Sequence, residues 1–420
     1  MSVLKRNLDR QPRGAGPHSD SPALLEDTDM ELQHLEELEK RLALSYGMAP
    51  PEGIDSEAVL KEAIRRTGTP GGRFRNAFLY VLRKVNFLSS SSDDVDALRR
   101  LCYLRSNPQS DSQLVLAPGN SYHVEASRFW AVLIGIDAYQ TNPLHGCVSD
   151  ASLMRKFLIE DVGVPVHRIQ CLLGFENSTP GGPQIPSRAN IVNALRSLID
   201  NPEIERNDNI IVYYAGHGAS YSCSEHFSTA ESGCQTGSCP IHALCPIDRD
   251  TMDSNEHWIP DISERELNVL LTQISLAKGH HITFITDCCY ASSFDRQGQD
   301  SAIRTTRPTF HSDVNDMLRA ADRNLKHLPR YQSVLSKDWH PDTSSHVHLA
   351  PCQDYQYARE TAGKDGVYSG VMTKILLNVL PGAWRKRSTY VELIDLLNQS
   401  YSQTPIIVGD HMCEPIWYRV

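Results

Sequence analysis

The chain changes texture at Arg128. Beyond it, unbroken apolar runs alternate with segments whose apolar positions return every three or four residues. Phe129-Trp-Ala-Val-Leu-Ile-Gly-Ile136 has the length and β-branching of a strand buried on both faces. A helix over about 149–159 is predicted next, followed by a short strand over Ile169–Leu173. Ser187 can cap a helix running to about Asp200, and Asn209–Tyr214 reads as a third buried strand. Ser263 and Glu266 have the spacing of a capping box for a helix to about Ala277. His281–Thr286 is a fourth strand. Residues 290–343 are polar and poorly periodic, and are expected to form a flexible loop. The pattern then resumes with a strand at 346–351, helices at 369–380 and 389–399, and closing segments at 405–408 and 416–420. Buried strands alternating with amphipathic helices predict an α/β fold, a mostly parallel sheet covered on both faces.

Before Arg128 the pattern is helical but carries no chemical motif. Residues 1–20 are rich in Gly, Pro, Ser and charge, a composition that does not build a core. Helical periodicity follows at 27–44, 56–66 and 74–87, Asp94 can cap a helix to Leu104, and 106–125 reads as linker. The predicted organisation is an N-terminal region over 1–125 and one larger domain over 126–420.

Composition narrows the function classes. A net charge of −10 lacks the basic footprint of a nucleic-acid binder. No apolar run reaches the roughly 18 residues of a membrane-spanning helix. The eleven cysteines occur without a secretory apolar segment at Met1–Asp20, which points to a reducing, cytoplasmic setting. There, thiols serve as core residues, nucleophiles or metal ligands.

Two predicted strands end in reactive residues: one runs into Ala215-Gly-His-Gly218, the other into Asp287-Cys-Cys289. Ligand sites of open α/β sheets gather at the carboxyl ends of strands. If these two are neighbours, the His217 imidazole and the Cys289 thiol face one another. A nearby imidazole activates a thiol and can then protonate a leaving amine. Gly216 and Gly218 allow a tight turn, and the N–H groups of Gly218 and Cys289 are candidate oxyanion donors. The plainer alternative is a buried structural cysteine beside an ordinary turn.

In order along the chain, Ile211-Val-Tyr-Tyr-Ala-Gly-His-Gly218 and Ile282-Thr-Phe-Ile-Thr-Asp-Cys-Cys289 resemble the histidine and cysteine strands of the caspase/metacaspase clan of cysteine peptidases. Phe129–Asp137 and Leu144-His-Gly-Cys-Val-Ser-Asp-Ala151 resemble its first strand and following helix. Ala350-Pro-Cys-Gln353, Gly370–Leu380 and Tyr390–Leu397 resemble its small-subunit elements. The likeness spans about 128–420. It implies a caspase-like sheet of about six strands and a cysteine-type endopeptidase that needs no cofactor and acts as a monomer on proteins or peptides. His217 would be the general acid/base, Cys289 the nucleophile, and Cys288 would point into the core.

The same resemblance puts Cys147, Asp150, Ala215 and Asp287 around the pocket for the residue before the scissile bond. Acids there favour Arg or Lys and repel Asp. Each acid has another reading, Asp150 as a helix N-terminal acid and Asp287 as a cap. Tyr290-Ala-Ser292 replaces the family's usual His-Ser-Gly after the nucleophile, and Ala215 replaces a common serine. These departures keep a weakly active or inactive binding protein open as the alternative. The resemblance also raises calcium as an activator, with Asp248 and Glu264 as candidate ligands, although Arg265 stands where a further acid is expected. Cys223, Cys234, Cys239 and Cys245, with His226 and His242, lack zinc-finger spacing, and the 219–245 insertion is expected to be an irregular loop. Finally, 290–343 carries Arg304, Arg307, Arg319, Arg323, Lys326 and Arg330. It is either a solvated loop or a site of self-cleavage.

Overall fold

A computed structural model describes residues 126–176, 184–222, 240–290, 302–336, 339–352, 356–363, 366–398 and 403–418. The expected helices over 1–125 lie outside these residues, as do Cys223, Cys234, Cys239 and His226 of the insertion.

The apolar runs become strands β1 (Phe129–Ile136), β2 (Ile169–Gly174), β3 (Asn209–Ala215), β7 (Ile282–Asp287), β8 (Val347–Ala350) and β11 (Ile406–Val408) of one sheet. Three shorter strands, β4 (Gly218–Ser222), β5 (Pro240–Leu244) and β6 (Ile262–Ser263), form a separate antiparallel sheet, and β9 (Glu360–Ala362) pairs with β10 (Tyr368–Gly370). The six-stranded sheet runs β11-β8-β7-β3-β1-β2. All its pairings are parallel except β11 with β8. Every residue of β1 and β7 is buried, the pattern of strands covered on both faces. The expected α/β architecture is therefore present.

The helices are α1 (Cys147–Phe157), α2 (Arg188–Asp200), α3 (Glu264–Lys278), α4 (Val314–Leu325), α5 (Val371–Arg385) and α6 (Tyr390–Leu397). They pack as two groups, α1 with α5 and α6, and α2 with α3 and α4. Among the described residues, no helix is long and apolar enough to cross a membrane. At Gly135 of β1 a side-chain carbon would lie 2.5 Å from the Cys147 carbonyl oxygen, so glycine is what lets α1 rest on the sheet.

Several local expectations hold and several do not. Ser187 caps α2 by accepting from the Asn190 N–H, and Ser263 caps α3 by accepting from the Glu266 N–H. The second half of the expected box differs: the Glu266 carboxylate turns inward to the Arg188 guanidinium at 2.5 Å. A buried pair outcompeted the surface cap. Residues 314–325, expected to be loop, are helical, with Val314, Met317, Leu318, Ala321 and Leu325 buried along one face. The insertion is not wholly irregular, since its two ends pair as β4 and β5. Helix α5 continues through Pro381 instead of stopping before it.

Candidate active site

Strands β3 and β7 are direct neighbours in parallel register, with Ala215 opposite Asp287. His217 and Cys289 each stand two residues beyond that pair, so the topology brings the two reactive residues level at the same sheet end. Both are buried.

The histidine is held from behind. Its N–H donates to the Tyr139 hydroxyl (2.9 Å), and its carbonyl accepts from the Tyr214 hydroxyl (2.7 Å). The Tyr139 ring tilts against the imidazole at 4.6 Å. Nε2 lies 2.7 Å from the Asn142 carbonyl oxygen. A carbonyl only accepts, so Nε2 carries the proton and Nδ1 is left as the basic nitrogen. Nδ1 is buried and has no hydrogen-bond partner among the described residues. Burial lowers the imidazole pKa to about 4, which keeps the ring neutral at pH 7. Asn142, which offers the carbonyl, has φ of 56°, a left-handed conformation that asparagine tolerates.

Cys288 is buried, with its pKa raised by desolvation, as expected of a core thiol. Cys289 packs with Cys352 and Ala358, and Ile303 and Tyr357 rest on this cluster. The Cys352 thiol is pushed up, first by its hydrogen bond with Cys289 and then by burial. Tyr290 stacks on His242 with ring centroids 4.5 Å apart. A side-chain carbon at Gly218 would meet the Tyr290 ring, so that glycine is closely covered.

The decisive feature is the segment Ala302–Thr309, which lies across this sheet end. The Arg304 carbonyl oxygen accepts from both the Gly218 N–H (3.2 Å) and the Cys289 N–H (3.1 Å). On the preceding side, the Arg304 N–H donates to the Ala358 carbonyl and the Glu360 N–H donates to the Ala302 carbonyl. On the following side, the Thr306 N–H donates to the Gly218 carbonyl. Ile303 bridges Arg359 antiparallel and Thr305 bridges Gly218 parallel. The segment is thus an extended strap pinned on both flanks.

The Arg304 side chain enters a fully buried acidic chamber. Its guanidinium lies 2.6 Å from the Asp150 carboxylate, 3.0 Å from Asp287 and 3.5 Å from Glu360. Three carboxylates coexist there because backbone dipoles and hydroxyls share their charge. Asp150 also accepts from the Gly370 N–H and the Ser369 hydroxyl. Asp287 accepts from the N–H and hydroxyl of Thr373, and so also caps the first turn of α5. Glu360 accepts from the N–H groups of His145 and Gly146, just before α1. Burial nevertheless raises the Asp150 pKa to about 6, against the opposing pull of Arg304. Cys147 is buried at the head of α1 and its pKa is raised by desolvation, while Ala215 is the last residue of β3. A side-chain carbon at Gly370 would strike the Asp287 carboxylate and the Arg304 guanidinium.

Glu360, Tyr139, Tyr214 and Cys352 were not singled out by sequence. Glu360 sits in a three-residue strand far from the other acids, and only its antiparallel pairing with Gly370 brings it to them. Asp248 and Glu264 have separate partners: Asp248 accepts from the Arg188 N–H, and Glu264 faces His242 at 3.6 Å. Arg265 donates to the Val334 and Ser336 carbonyls. Among the described residues, no group of three His, Cys, Asp or Glu side chains is disposed to hold a metal ion.

Residues 130–295 match the family model for the metacaspase, peptidase C14 domain. The chain is similar to metacaspase-3 of Arabidopsis thaliana, at 30% identity over 38% of this chain and 38% of that protein. It is also similar to metacaspase-1B of Aspergillus oryzae, at 33% identity over 24% of each. Each of these matches therefore spans well under half the length of the relative. Solved structures with a related outline include caspase-1 from Spodoptera frugiperda, at TM-score 0.39 and 10% identity over 71% of this chain and 93% of that one. Protein GSU0716 from Geobacter sulfurreducens gives TM-score 0.43 and 17% identity over 66% and 92%.

Proposed function

We propose that this chain, whose residues 130–295 carry a metacaspase-type peptidase C14 domain, is a cysteine endopeptidase that cleaves after arginine or lysine and cleaves its own Arg304–Thr305 bond. The observation that carries this reading is the seating of Arg304. Its side chain fills the acidic chamber while its carbonyl oxygen receives the N–H groups of Gly218 and Cys289. A bound substrate would need that combination of charge and register.

In this reading the neutral His217 imidazole takes the Cys289 proton, and the thiolate sulphur attacks the Arg304 carbonyl carbon. Negative charge develops on the carbonyl oxygen, where the Gly218 and Cys289 N–H groups stabilise it. Losing one such donor costs about 2.7–4 kcal/mol of barrier. The carbon–nitrogen bond to Thr305 then breaks, and His217 returns its proton to the departing amine. Water hydrolyses the thioester, giving its proton to His217 and releasing the Cys289 thiol. In this reading Cys147 and Ala215 complete the pocket wall, while Asp150, Asp287 and Glu360 select a cation.

Tandem peptides ending in Arg, Lys or Asp before a fluorogenic amide test the reading, with and without calcium and beside a Cys289→Ala control. Cleavage after Arg and Lys that vanishes in the control is the expected result. Equal signal from the control would end the peptidase reading, and cleavage confined to Asp would end the basic specificity.

A further inference from the structure

Beyond Thr305 the strap meets a second set of buried groups. Arg249 is held by Asp261 through two parallel bonds, Nε to Oδ1 at 3.0 Å and Nη2 to Oδ2 at 2.9 Å. The Tyr221 hydroxyl donates to the same carboxylate at 2.7 Å. All three side chains are buried. Their remaining capacity turns to the strap: Arg249 Nη2 donates to the Arg307 carbonyl (2.9 Å), and the Tyr221 hydroxyl accepts from the Thr309 N–H (3.2 Å). Tyr221 comes from β4, and Arg249 and Asp261 from the two ends of the β5–β6 connection; none contacts the acidic chamber.

Two facts set this cluster apart from ordinary core polarity. A guanidinium with two bonds to one carboxylate is a rigid donor, because its fork has one orientation. And both contacts to the strap are to main-chain atoms, at the third and fifth residues after the 304–305 bond, while Arg307 itself and Pro308 between the two are exposed. Such a device reads extended backbone and ignores sequence.

We propose that Arg249, Asp261 and Tyr221 form a leaving-side binding site for extended peptide main chain, which positions the bond after Arg304 for attack. The inference rests on the peptidase reading above. Arg249 and Tyr221 are positioning residues, since neither touches the reacting atoms. Asp261 acts through both, fixing the guanidinium and orienting the phenol. The site lets the strap be stretched across Cys289 from two ends: Arg304 is drawn into its chamber, and the chain beyond is held by backbone alone.

The test is the rate of cleavage at 304–305 in the purified full chain, followed by mass and by denaturing gel. Thr309→Pro removes the N–H that the Tyr221 hydroxyl accepts and leaves the cluster itself intact, and Thr309→Val is its control for the hydroxyl's two bonds to Ser312, which both variants lose. Cleavage about fivefold slower than in Thr309→Val, with the two variants' thermal midpoints within about 4 °C of each other, is expected for one enclosed hydrogen bond. Tyr221→Phe should slow it at least as much, since it also loses the donation to Asp261, and adding Thr309→Pro to it should slow cleavage little further, because the bond they share is already gone. Unchanged cleavage in Thr309→Pro would overturn the leaving-side site and leave the peptidase reading standing. Fully additive losses would also overturn it, since the two groups would then act separately. A wild-type chain that cuts arginine peptides but never 304–305 would overturn this inference and the self-cleavage part of the reading above, and leave the arginine peptidase standing. A chain that cuts nothing would remove both.

Discussion

The two halves of the strap are held by opposite means. From Ala302 to Arg304 the grip is a side chain: one guanidinium buried among Asp150, Asp287 and Glu360. From Thr305 to Thr309 the grip is mostly backbone, through Gly218, Arg249 and Tyr221. The first half selects by charge, since a buried site that places three carboxylates around one point rejects any anion placed there. The second half selects only for extended chain. Specificity and alignment are therefore separable here, and each can be broken without the other.

The largest expected effect comes from reversing the charge in the first half. Arg304→Asp would add a fourth carboxylate to the chamber, expel the strap, and abolish cleavage at 304 on a denaturing gel. Next is the chamber itself. Asp150→Asn and Asp287→Asn should each lower kcat/KM for arginine peptides by roughly 100-fold, the scale of breaking a buried charge pair. An Asp150→Asn protein that cuts arginine peptides at the wild-type rate would sink the chamber's assigned role. Gly370→Ala should act in the same direction, because the added carbon meets Asp287 and Arg304 at once.

Smaller effects follow from protons. With Arg304 in place, burial holds the Asp150 pKa at about 6, and a vacated chamber lacks the cation that opposes that rise. KM for arginine peptides should therefore rise as pH falls towards 6 and level off below it, whereas uncharged changes on the leaving side should show no such dependence. For His217 the folded pKa lies below the unfolded value of 6.5, so the folded state resists protonation. Its contribution destabilises the fold as pH drops from 6.5 towards 4, by about 3 kcal/mol at the lower end. Unfolding midpoints of wild type and His217→Asn, measured across that range, should converge as the pH falls.

Much of the first half's framework was legible in the sequence. Long apolar runs marked β1, β3 and β7, because a strand covered on both faces has no polar alternation to confuse it. Their ends pointed to His217 and Cys289, and the resemblance supplied Asp150 and Asp287. The chamber's third acid was not legible, since Glu360 gains meaning only through the pairing of two three-residue strands. Helix α4 was missed although Val314, Met317, Leu318, Ala321 and Leu325 share a face. Asp, Asn and Arg make up half of its twelve residues, and the polar stretch around it hid the periodicity. Arg304 stood among eight lysines and arginines of one polar stretch, and nothing local distinguishes it from Arg307. The leaving-side cluster was invisible for a different reason: its contacts are to main chain, which leaves no trace in residue identity.

Strands β7 and β8 lie side by side in the sheet, yet the strap falls between them in the chain. Severing 304–305 therefore divides the polypeptide without dividing the sheet, and strand β11 continues to flank β8 on its far side. The two fragments should migrate separately in detergent but elute together in native buffer. Renaturing them from denaturant as independent pieces should be far slower than refolding the uncut chain, because a central ladder would have to form between molecules.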